Sequence, residues 1–303
     1  MHKINRAFVV SAGFLFVFLA AMPLRAQTFT TLNNFDGTNV VACGMVITAP
    51  GTYTISGTLS CSGDGDGVDV NASNVTIQFT NGGYLNCTGC PESGGTETGI
   101  KVYDPAGGAL SNVNILGPGT IDDYPFGVSY FGVKNSQISA MTFSFGGLNI
   151  SLNDDTNGDH SQDDVFTDNT TYSASAGDIV GTIYSSTFIG NALEGTIFGG
   201  TGFGIQILSG DNNRLIGNSS GAFSIGIELG GAGSTGASGN VLTGNHVSAN
   251  TTGLLVMPPA DGNRFELNFI YYNSTLDIDE GNASCGTDVY IRNIFGTANQ
   301  SCV

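Results

Sequence analysis

The chain has 303 residues, 46 of them glycine, no tryptophan and a formal net charge of −17. Its eight basic residues are too few and too scattered to displace the counterions of a nucleic acid, and the same shortage disfavours binding to anionic membranes. Composition therefore leaves three possibilities for the ligand of this protein: a neutral polysaccharide, a cation, or none.

Residues 1–26 predict a secretory signal peptide. His2, Lys3 and Arg6 supply positive charge at the start, residues 7–22 are apolar and uncharged, and residues 24–26 offer a cleavage site ending in alanine. The apolar run is shorter than the roughly 20 residues of a membrane-spanning helix, so an uncleaved anchor is the less favoured alternative. We expect a secreted or periplasmic protein without a transmembrane anchor. Cleavage would leave five basic against 25 acidic residues, a net charge of about −20.

All six cysteines lie beyond the signal peptide, and an even number in an exported chain predicts disulfides. Sequence alone allows 15 pairings. We favour the local set: Cys43 with Cys61, Cys87 with Cys90, and Cys285 with Cys302. The spacing of Cys87 and Cys90 also occurs in redox motifs, but no βαβ pattern or basic neighbour supports that alternative.

A short unit of glycine, apolar, any residue and apolar recurs along the chain. The glycines that begin it are Gly67, Gly99, Gly127, Gly147, Gly204, Gly226 and Gly253. Alternation of apolar and variable positions predicts short strands with one face turned inward.

A second unit follows the last three of these glycine units, at residues 213–218, 240–245 and 263–268. Each segment begins and ends with asparagine and has an apolar residue in its third position. Glycine and asparagine tolerate the left-handed backbone angles of tight turns, so each repeat should hold about three strands separated by turns. Asparagines at the same turn of successive repeats could form a hydrogen-bonded ladder.

These repeats predict an all-β fold, a single right-handed parallel β-helix (solenoid) with N- and C-terminal caps. One repeat cannot bury its own apolar residues, whereas stacking repeats about 4.8 Å apart creates a continuous core. We expect Ile207, Leu229, Val256 and Phe265 to point inward. The less favoured alternative is an antiparallel sandwich or barrel, which would show short hairpin loops and no constant period.

The domain boundaries follow from the extent of the repeats. After the signal peptide, residues 27–66 are interpreted as an N-terminal cap or lead-in, residues 67–276 as the coils, and residues 277–303 as a C-terminal disulfide cap. Both caps would protect sheet edges that could otherwise pair with another chain.

Several segments resemble the secreted bacterial right-handed parallel β-helix repeat proteins of the pectin-lyase-like superfamily. They are residues 43–61, 74–77, 115–121 and 276–302; the last departs at Asp288 and Tyr290, where the family often has Asn and Trp. The resemblance implies the β-helix fold. It also implies one of the activities of that superfamily, which contains polysaccharide lyases, hydrolases and epimerases as well as many proteins without known activity. Repeats are weak between about 151 and 200.

One relative in that superfamily is the periplasmic copper-binding protein of nitrous oxide reductase maturation, and the resemblance to it concerns the repeats alone. The histidines and methionines beyond the signal peptide show no copper-ligand spacing. They are His160, His246, Met45, Met141 and Met257. We therefore expect no copper cofactor.

Glycoside hydrolysis requires two carboxyl groups roughly 5–9.5 Å apart, which acids on neighbouring coils could supply. The catalytic candidates are Asp122, Asp123, Asp154 and Asp155; because neighbours in a strand point oppositely, at most one of each pair should face a groove. Aromatic residues nearby could stack on sugar rings, namely Tyr124, Phe126, Tyr130 and Phe131. The alternative is that these are solvated turn acids and core aromatics.

Two further sets of residues are candidates for a chemical role, one as a lyase base and one as calcium ligands. Arg214 and Arg264 are the basic residues in regular coils. Because both occupy the same place in the asparagine unit, an outward structural role is favoured over a role as a lyase base.

Residues with oxygen ligands recur at alternate positions in one acidic segment, and a loose calcium site there is a hypothesis. Its candidate ligands are Asp155, Asn157, Asp159 and Asp163. It does not match an EF-hand, because His160 stands at the sixth position and Phe166 at the twelfth.

The sequence thus predicts an exported, monomeric β-helix. Its predicted function is a non-catalytic extracellular module for surface or carbohydrate interaction, with a polysaccharide as partner. The alternative is a polysaccharide-active enzyme, a glycoside hydrolase in preference to a lyase, since a strongly negative protein would repel anionic pectin or alginate. Sequence leaves open whether the protein is an enzyme.

Overall fold

The computed structural model describes residues 32–33, 39–62, 65–90, 95–144, 146–174, 177–195, 202–231 and 235–303. The signal peptide predicted at residues 1–26 lies outside them. Within the described part the chain is built of short β-strands, and its helical content is a 3₁₀ turn at Ala283–Cys285. This described part includes no helix with the length and hydropathy needed to cross a membrane.

One sheet, which we call face A, contains the strands that carry the glycine unit. Ten strands form a continuous path in which each strand pairs with the equivalent strand of the next coil. They are Met45–Ile47, Val68–Val70, Thr98–Val102, Phe126–Phe131, Leu148–Asn153, Gly177–Tyr184, Phe203–Ser209, Ile225–Leu229, Thr252–Val256 and Leu276–Glu280. The short strand Ser161–Gln162 pairs with the end of Gly177–Tyr184.

The second sheet has 18 strands and bends into two surfaces, face B and then face C. In the early coils single long strands pass through both faces. They are Gly51–Ser62, Val75–Thr88, Val113–Asp122 and Gln137–Ser144. The later coils have separate strands on each face. Those on face B are Val165–Thr167, Thr187–Ile189, Arg214–Ile216, Val241–Thr243, Arg264–Glu266 and Val289–Ile291. Those on face C are Thr170–Ala174, Ala192–Gly195, Ser219–Gly221, His246–Ser248, Phe269–Tyr271 and Ile294–Phe295.

The pairing between coils is parallel on all three faces, so the predicted parallel β-helix is confirmed. Antiparallel pairing occurs between Leu32–Asn33 and Asn39–Val40, and the latter strand then pairs in parallel with Gly51–Ser62. Parallel pairing thus begins at Asn39 and continues to Phe295, so it extends on both sides of residues 67–276.

The core is a column of apolar side chains inside the coils. All four residues predicted to point inward are fully buried: Ile207, Leu229, Val256 and Phe265 are at most 1% exposed. Aromatic rings stack along the axis, as Phe166 does on Phe188 with ring centroids 4.8 Å apart. The predicted exposure of Arg214 and Arg264 is also confirmed, since both side chains lie on the outer surface of face B.

Glycine is favoured in the repeated unit because a Cβ atom at its position would point into a crowded corner of the coil. A Cβ atom on Gly204 would lie 2.5 Å from the carbonyl oxygen of Gly226 and would also clash with Ser220. The unit predicted to begin at Gly147 is displaced by two residues from the unit that begins at Gly127. Val128, the second residue of that unit, pairs with Ile150 and not with Leu148. Asn149 therefore occupies the glycine position in that coil, and Asp178 occupies it in the next.

The asparagine ladder predicted at the turns is confirmed. Between faces B and C, Asn191 donates its backbone N–H and a side-chain N–H to the side-chain oxygen of Asn218. Asn218 donates to the side-chain oxygen of Asn245 in the same way. The ladder continues to Asn268 and Asn293. Each amide also donates to a backbone carbonyl of the preceding coil, so these buried polar groups are hydrogen-bonded.

All three predicted disulfides are present: Cys43–Cys61, Cys87–Cys90 and Cys285–Cys302. The last one ties the 3₁₀ turn to the C-terminal tail. That tail runs alongside the last strand of face A, where Ala298 pairs in parallel with Ile278 and the Asn299 side chain accepts the N–H of Glu280.

Candidate functional site

The candidate site is a groove on the outer surface of face A, formed where four coils place outward side chains in register. Asp69, Lys101, Ser129 and Ser151 follow one another across neighbouring strands. Two adjoining cavities of about 390 and 210 Å³ share Lys101 and Phe131. Together they are lined by Thr96, Thr98, Lys101, Tyr103, Asp104, Phe126, Ser129, Phe131, Ser151, Asn153, Asp154, Asp155 and Thr156. We call this the face A groove.

A charged network lies at the N-terminal end of the groove. The Nζ of Lys101 is 3.2 Å from the Oδ2 of Asp66 and 5.0 Å from the centre of the Tyr103 ring. The other oxygen of Asp66 accepts the backbone N–H of Thr98 at 2.8 Å. Burial would lower the pKa of Lys101, but the charges of Asp66 and Asp69 outweigh it and raise that pKa. The lysine is therefore held as a cation by its own acidic neighbours.

Asp69 is the titratable group of this network. Burial, followed by the charge of Asp66, raises the pKa of Asp69 to about 6, against the lowering effect of Lys101. Its Oδ1 atom is buried and has no hydrogen-bond partner. A carboxyl group with a pKa near 6 holds a proton in a large fraction of molecules in mildly acidic solution.

Aromatic side chains form the walls of the groove. Tyr103, Phe126 and Phe131 are half-buried and reach its surface. Tyr124 and Tyr130, the other two candidates for stacking on sugars, are buried at 1% and 0% exposure. The alternative interpretation as core aromatics is therefore confirmed for these two residues, because the strand and the turn before it direct their rings into the core.

Asp154 and Asp155 both line the groove, although sequence predicted that at most one of them would. They follow the end of strand Leu148–Asn153 and lie in a turn, where alternation no longer applies. Asp154 is 2.8 Å from the Nδ1 of His160, and Asp155 accepts the backbone N–H groups of Asn157 and Asp159 at 2.8 Å each. The second oxygen of Asp155 is buried without a hydrogen-bond partner.

Asp122 and Asp123 lie at a different place, at the end of the face C strand Val113–Asp122. Asp122 is 8% exposed and accepts hydrogen bonds from the hydroxyls of Tyr84 and Ser144. Burial and this contact raise the pKa of Tyr84 to about 12. The structure thus does not bring this pair into the groove that contains Asp154 and Asp155.

The proposed calcium ligands are engaged with protein groups. Asp159 contacts the Nζ of Lys134 at 2.9 Å, and the side-chain amide of Asn157 donates to the carbonyl of Gly107. Asp163 accepts a hydrogen bond from Gln162 at 3.2 Å. In the described ranges, no three side chains among His, Cys, Asp and Glu are grouped closely enough to hold a metal ion.

The described residues also do not fit a copper site. His160 is paired with Asp154, whereas the His246 ring stacks on Phe269 with centroids 5.1 Å apart. Met45 and Met141 are core residues at 4% and 1% exposure. Because histidine and methionine supply the ligands that copper prefers, this arrangement offers it no assembled set.

Sequence reasoning missed Asp66, Asp69, Lys101 and Tyr103. The signal was present, because the variable third position of the glycine unit is the outward position of face A. Asp69 and Lys101 occupy it in two consecutive units, and the strand pairing places them side by side. Tyr103 follows two residues after Lys101 and therefore shares its outer surface.

Comparison with solved structures finds other β-helices at low sequence identity. A DFA-IIIase from Arthrobacter chlorophenolicus A6 is 12% identical with a TM-score of 0.62, covering 80% of this chain and 66% of that one. The tailspike protein of E. coli bacteriophage HK620, in complex with a pentasaccharide, is 15% identical with a TM-score of 0.61, covering 81% and 55%. The A-module of the mannuronan C-5 epimerase AlgE6 from Azotobacter vinelandii is 14% identical with a TM-score of 0.55, covering 82% and 80%. These likenesses establish the fold.

Comparison with curated protein sequences gives no significant match. A family profile described as "Periplasmic copper-binding protein (NosD)" matches residues 59–290, which include nearly all of the coils. The periplasmic location in that description agrees with the predicted export and with the three disulfides. The chain therefore belongs to the NosD family of periplasmic β-helix proteins.

Proposed function

We propose that the protein binds a neutral polysaccharide in the face A groove and does so without altering it. The observation that carries this proposal is the combination of half-buried aromatic rings and polar groups along one concave surface. Phe126, Phe131 and Tyr103 offer apolar surface, while Ser129, Ser151 and Asn153 offer hydrogen-bonding groups between them. Ligand sites characteristically combine apolar walls with a few well-placed polar groups.

The charge of the groove favours a neutral ligand. Lys101 is already paired with Asp66, and the cavity that Lys101 lines also contains Asp104, Asp154 and Asp155. An anionic polysaccharide would meet these carboxylates as well as the large negative charge of the whole chain. Sugar hydroxyls, in contrast, can exchange hydrogen bonds with polar side chains that line the groove, such as Asp104, Ser129 and Asn153.

Two of the solved structures support a carbohydrate ligand. The HK620 tailspike contains a pentasaccharide, and the Arthrobacter enzyme has been solved in complex with DFA-III. The HK620 complex shows that a protein with this fold can bind an oligosaccharide. This chain spans 66% and 55% of those two proteins, so the proposal rests on its own groove.

The proposal is tested by calorimetric titration with neutral oligosaccharides, comparing the mature protein with Phe131→Ala and Tyr103→Ala. Each substitution removes a ring from the groove wall and should weaken binding roughly tenfold, the effect of about 1.4 kcal/mol. The matched control is Ile189→Ala, which truncates an exposed apolar side chain on face B. Equal affinity of all four proteins would contradict the proposal.

Glycoside hydrolysis is the second candidate, favoured by the raised pKa of Asp69. A carboxyl group with a pKa of about 6 can act as a proton donor. Asp69 is paired with Lys101, which lines the face A groove together with Asp154 and Asp155. Release of reducing ends from a bound glycan, lost in Asp69→Asn with binding retained, would favour the hydrolase. Binding without product release would favour the non-catalytic module.

A further inference from the structure

A second groove, of about 410 Å³, lies on the outer surface of face C and shares no residue with the face A groove. It spans four consecutive strands, from Thr170–Ala174 to His246–Ser248. Adjacent strands lie about 4.8 Å apart, so the outer two are roughly 14 Å apart. We call this the face C groove.

The groove arises from a change in side-chain size along two rows of paired residues. One row runs through Ala192, Ser219 and His246, and is continued by Phe269. The other runs from Tyr172 through Glu194 to Gly221. The small residues Ala192, Ser219 and Gly221 leave a depression, and the rings of Tyr172 and His246 lie at its two ends.

The rings at the two ends are available to a ligand. Tyr172 is 45% exposed at one end. At the other end the exposed imidazole of His246 stacks nearly parallel on Phe269, with an interplanar angle of 9°. A ring held flat by a second ring presents its remaining face to the groove without having to be ordered on binding.

The polar groups of the groove indicate the chemistry of the occupant. Glu194 is exposed at the centre, with the hydroxyls of Ser219 and Ser248 on the neighbouring strands. Neither lysine nor arginine lines the groove, so phosphate or carboxylate groups would have no partner there. A purely apolar partner would bury the Glu194 carboxylate without a hydrogen-bond partner, which is unfavourable. The pattern suits a molecule with flat apolar surfaces and many hydroxyl donors.

We propose that the face C groove is a second saccharide site, in which a neutral sugar chain lies across the strands between Tyr172 and His246. The ring faces of the sugars would contact these two side chains, and Glu194 would accept hydrogen bonds from sugar hydroxyls. This site depends on different residues from the face A groove, so either site can exist without the other. If both bind, the protein is bivalent for glycans on two sides of the solenoid.

The two histidines retained after cleavage at residue 26 make separate reporters of the two grooves. His246 lines the face C groove, whereas His160 contacts Asp154 at the edge of the face A groove. In imidazole NMR spectra of the ¹⁵N-labelled mature protein, titration with neutral oligosaccharides up to a pentasaccharide should shift the signals of His246. Shifts of the His160 signals alone would place binding at the face A groove and overturn the present inference.

A variant that fills the groove provides the second test. Ala192→Trp places a large ring in its floor and should weaken the binding that shifts His246 at least tenfold. The matched control is Thr243→Trp, an outward position on face B, which should leave the titration unchanged. Circular dichroism and the melting temperature show whether each variant is folded. Undiminished shifts of His246 in folded Ala192→Trp, or no shift with any oligosaccharide in the wild type, would refute the second site.

Discussion

Replacing Asp178 by asparagine should stabilise the protein at neutral pH. Asp178 occupies a glycine position of the repeat and is fully buried at 0% exposure. It accepts hydrogen bonds from the hydroxyl of Thr171 and from the side-chain amide of Asn149, the latter at 2.6 Å. Burial nevertheless raises the pKa of its carboxyl to about 8, because these two contacts offset only part of the lost hydration.

The sign of the pH dependence follows from this shift. An aspartate in the unfolded chain has a pKa of about 3.9, so the folded protein retains a proton that the unfolded chain releases between about pH 4 and pH 8. The contribution of Asp178 to stability is thus fully present below pH 4 and declines as the pH rises through that window. At pH 7 the decline amounts to about 4 kcal/mol, at roughly 1.36 kcal/mol per pH unit.

Asparagine has nearly the shape of aspartate and does not titrate. Its carbonyl can accept the hydrogen bond from Asn149, and its amide can donate to the Thr171 oxygen. We therefore expect Asp178→Asn to match the wild type near pH 4 and to exceed it by up to about 4 kcal/mol at pH 7.

Urea unfolding followed by circular dichroism at a series of pH values from 4 to 8 measures this difference. The control is Asp168→Asn, an exposed turn residue with a left-handed backbone (φ 55°) that asparagine also tolerates. This control should change the free energy of unfolding by less than about 0.5 kcal/mol. A pH-independent effect of Asp178→Asn, or a loss of stability at pH 7, would refute the reasoning.

Three further predictions concern the core, the ladder and copper. Phe265→Ala, at a fully buried position, should lower the free energy of unfolding by about 3–5 kcal/mol in urea titrations, whereas Leu267→Ala on the exposed turn should cost less than about 0.5 kcal/mol. Asn218→Ala removes the acceptor of two buried donors and should cost about 3 kcal/mol by the same assay; a loss below 1 kcal/mol would show that the ladder is dispensable. Copper(II) added to the mature protein should leave its melting temperature unchanged, and a rise that grows with copper concentration would contradict the interpretation of His160 and His246.

Much of the fold could be predicted because its determinants are local and repeated. The glycine unit at Gly204 and the asparagines from Asn213 onward fix strands and turns by their own backbone preferences. The coils between residues 151 and 200 were weak in sequence because Asn149 and Asp178 replace glycine there. In that region the ladder residues Asn169 and Asn191 were the remaining signal, and the structure shows them in register.

The candidate site could be predicted only in part. Asp154 and Asp155 were identified from their charge, but their partners Lys101 and Phe131 come from strands more than 20 residues earlier. Which side chains share a groove depends on the lengths of the intervening turns, and composition does not determine these. The same limit explains Asp122, whose charge suggested chemistry although its contacts with Tyr84 and Ser144 bury it.

The asparagine ladders have a direction, with a consequence for how the chain acquires its structure. Each rung donates its backbone N–H and one of its side-chain N–H groups to the coil that follows it in sequence, as Asn191 does to Asn218 and Asn268 does to Asn293. During export the N-terminal coils emerge first, and their donors stay unsatisfied until the next coil arrives. Assembly should therefore finish late, when Asn293 and the Cys285–Cys302 segment dock, and truncation from the C-terminus should be tolerated poorly.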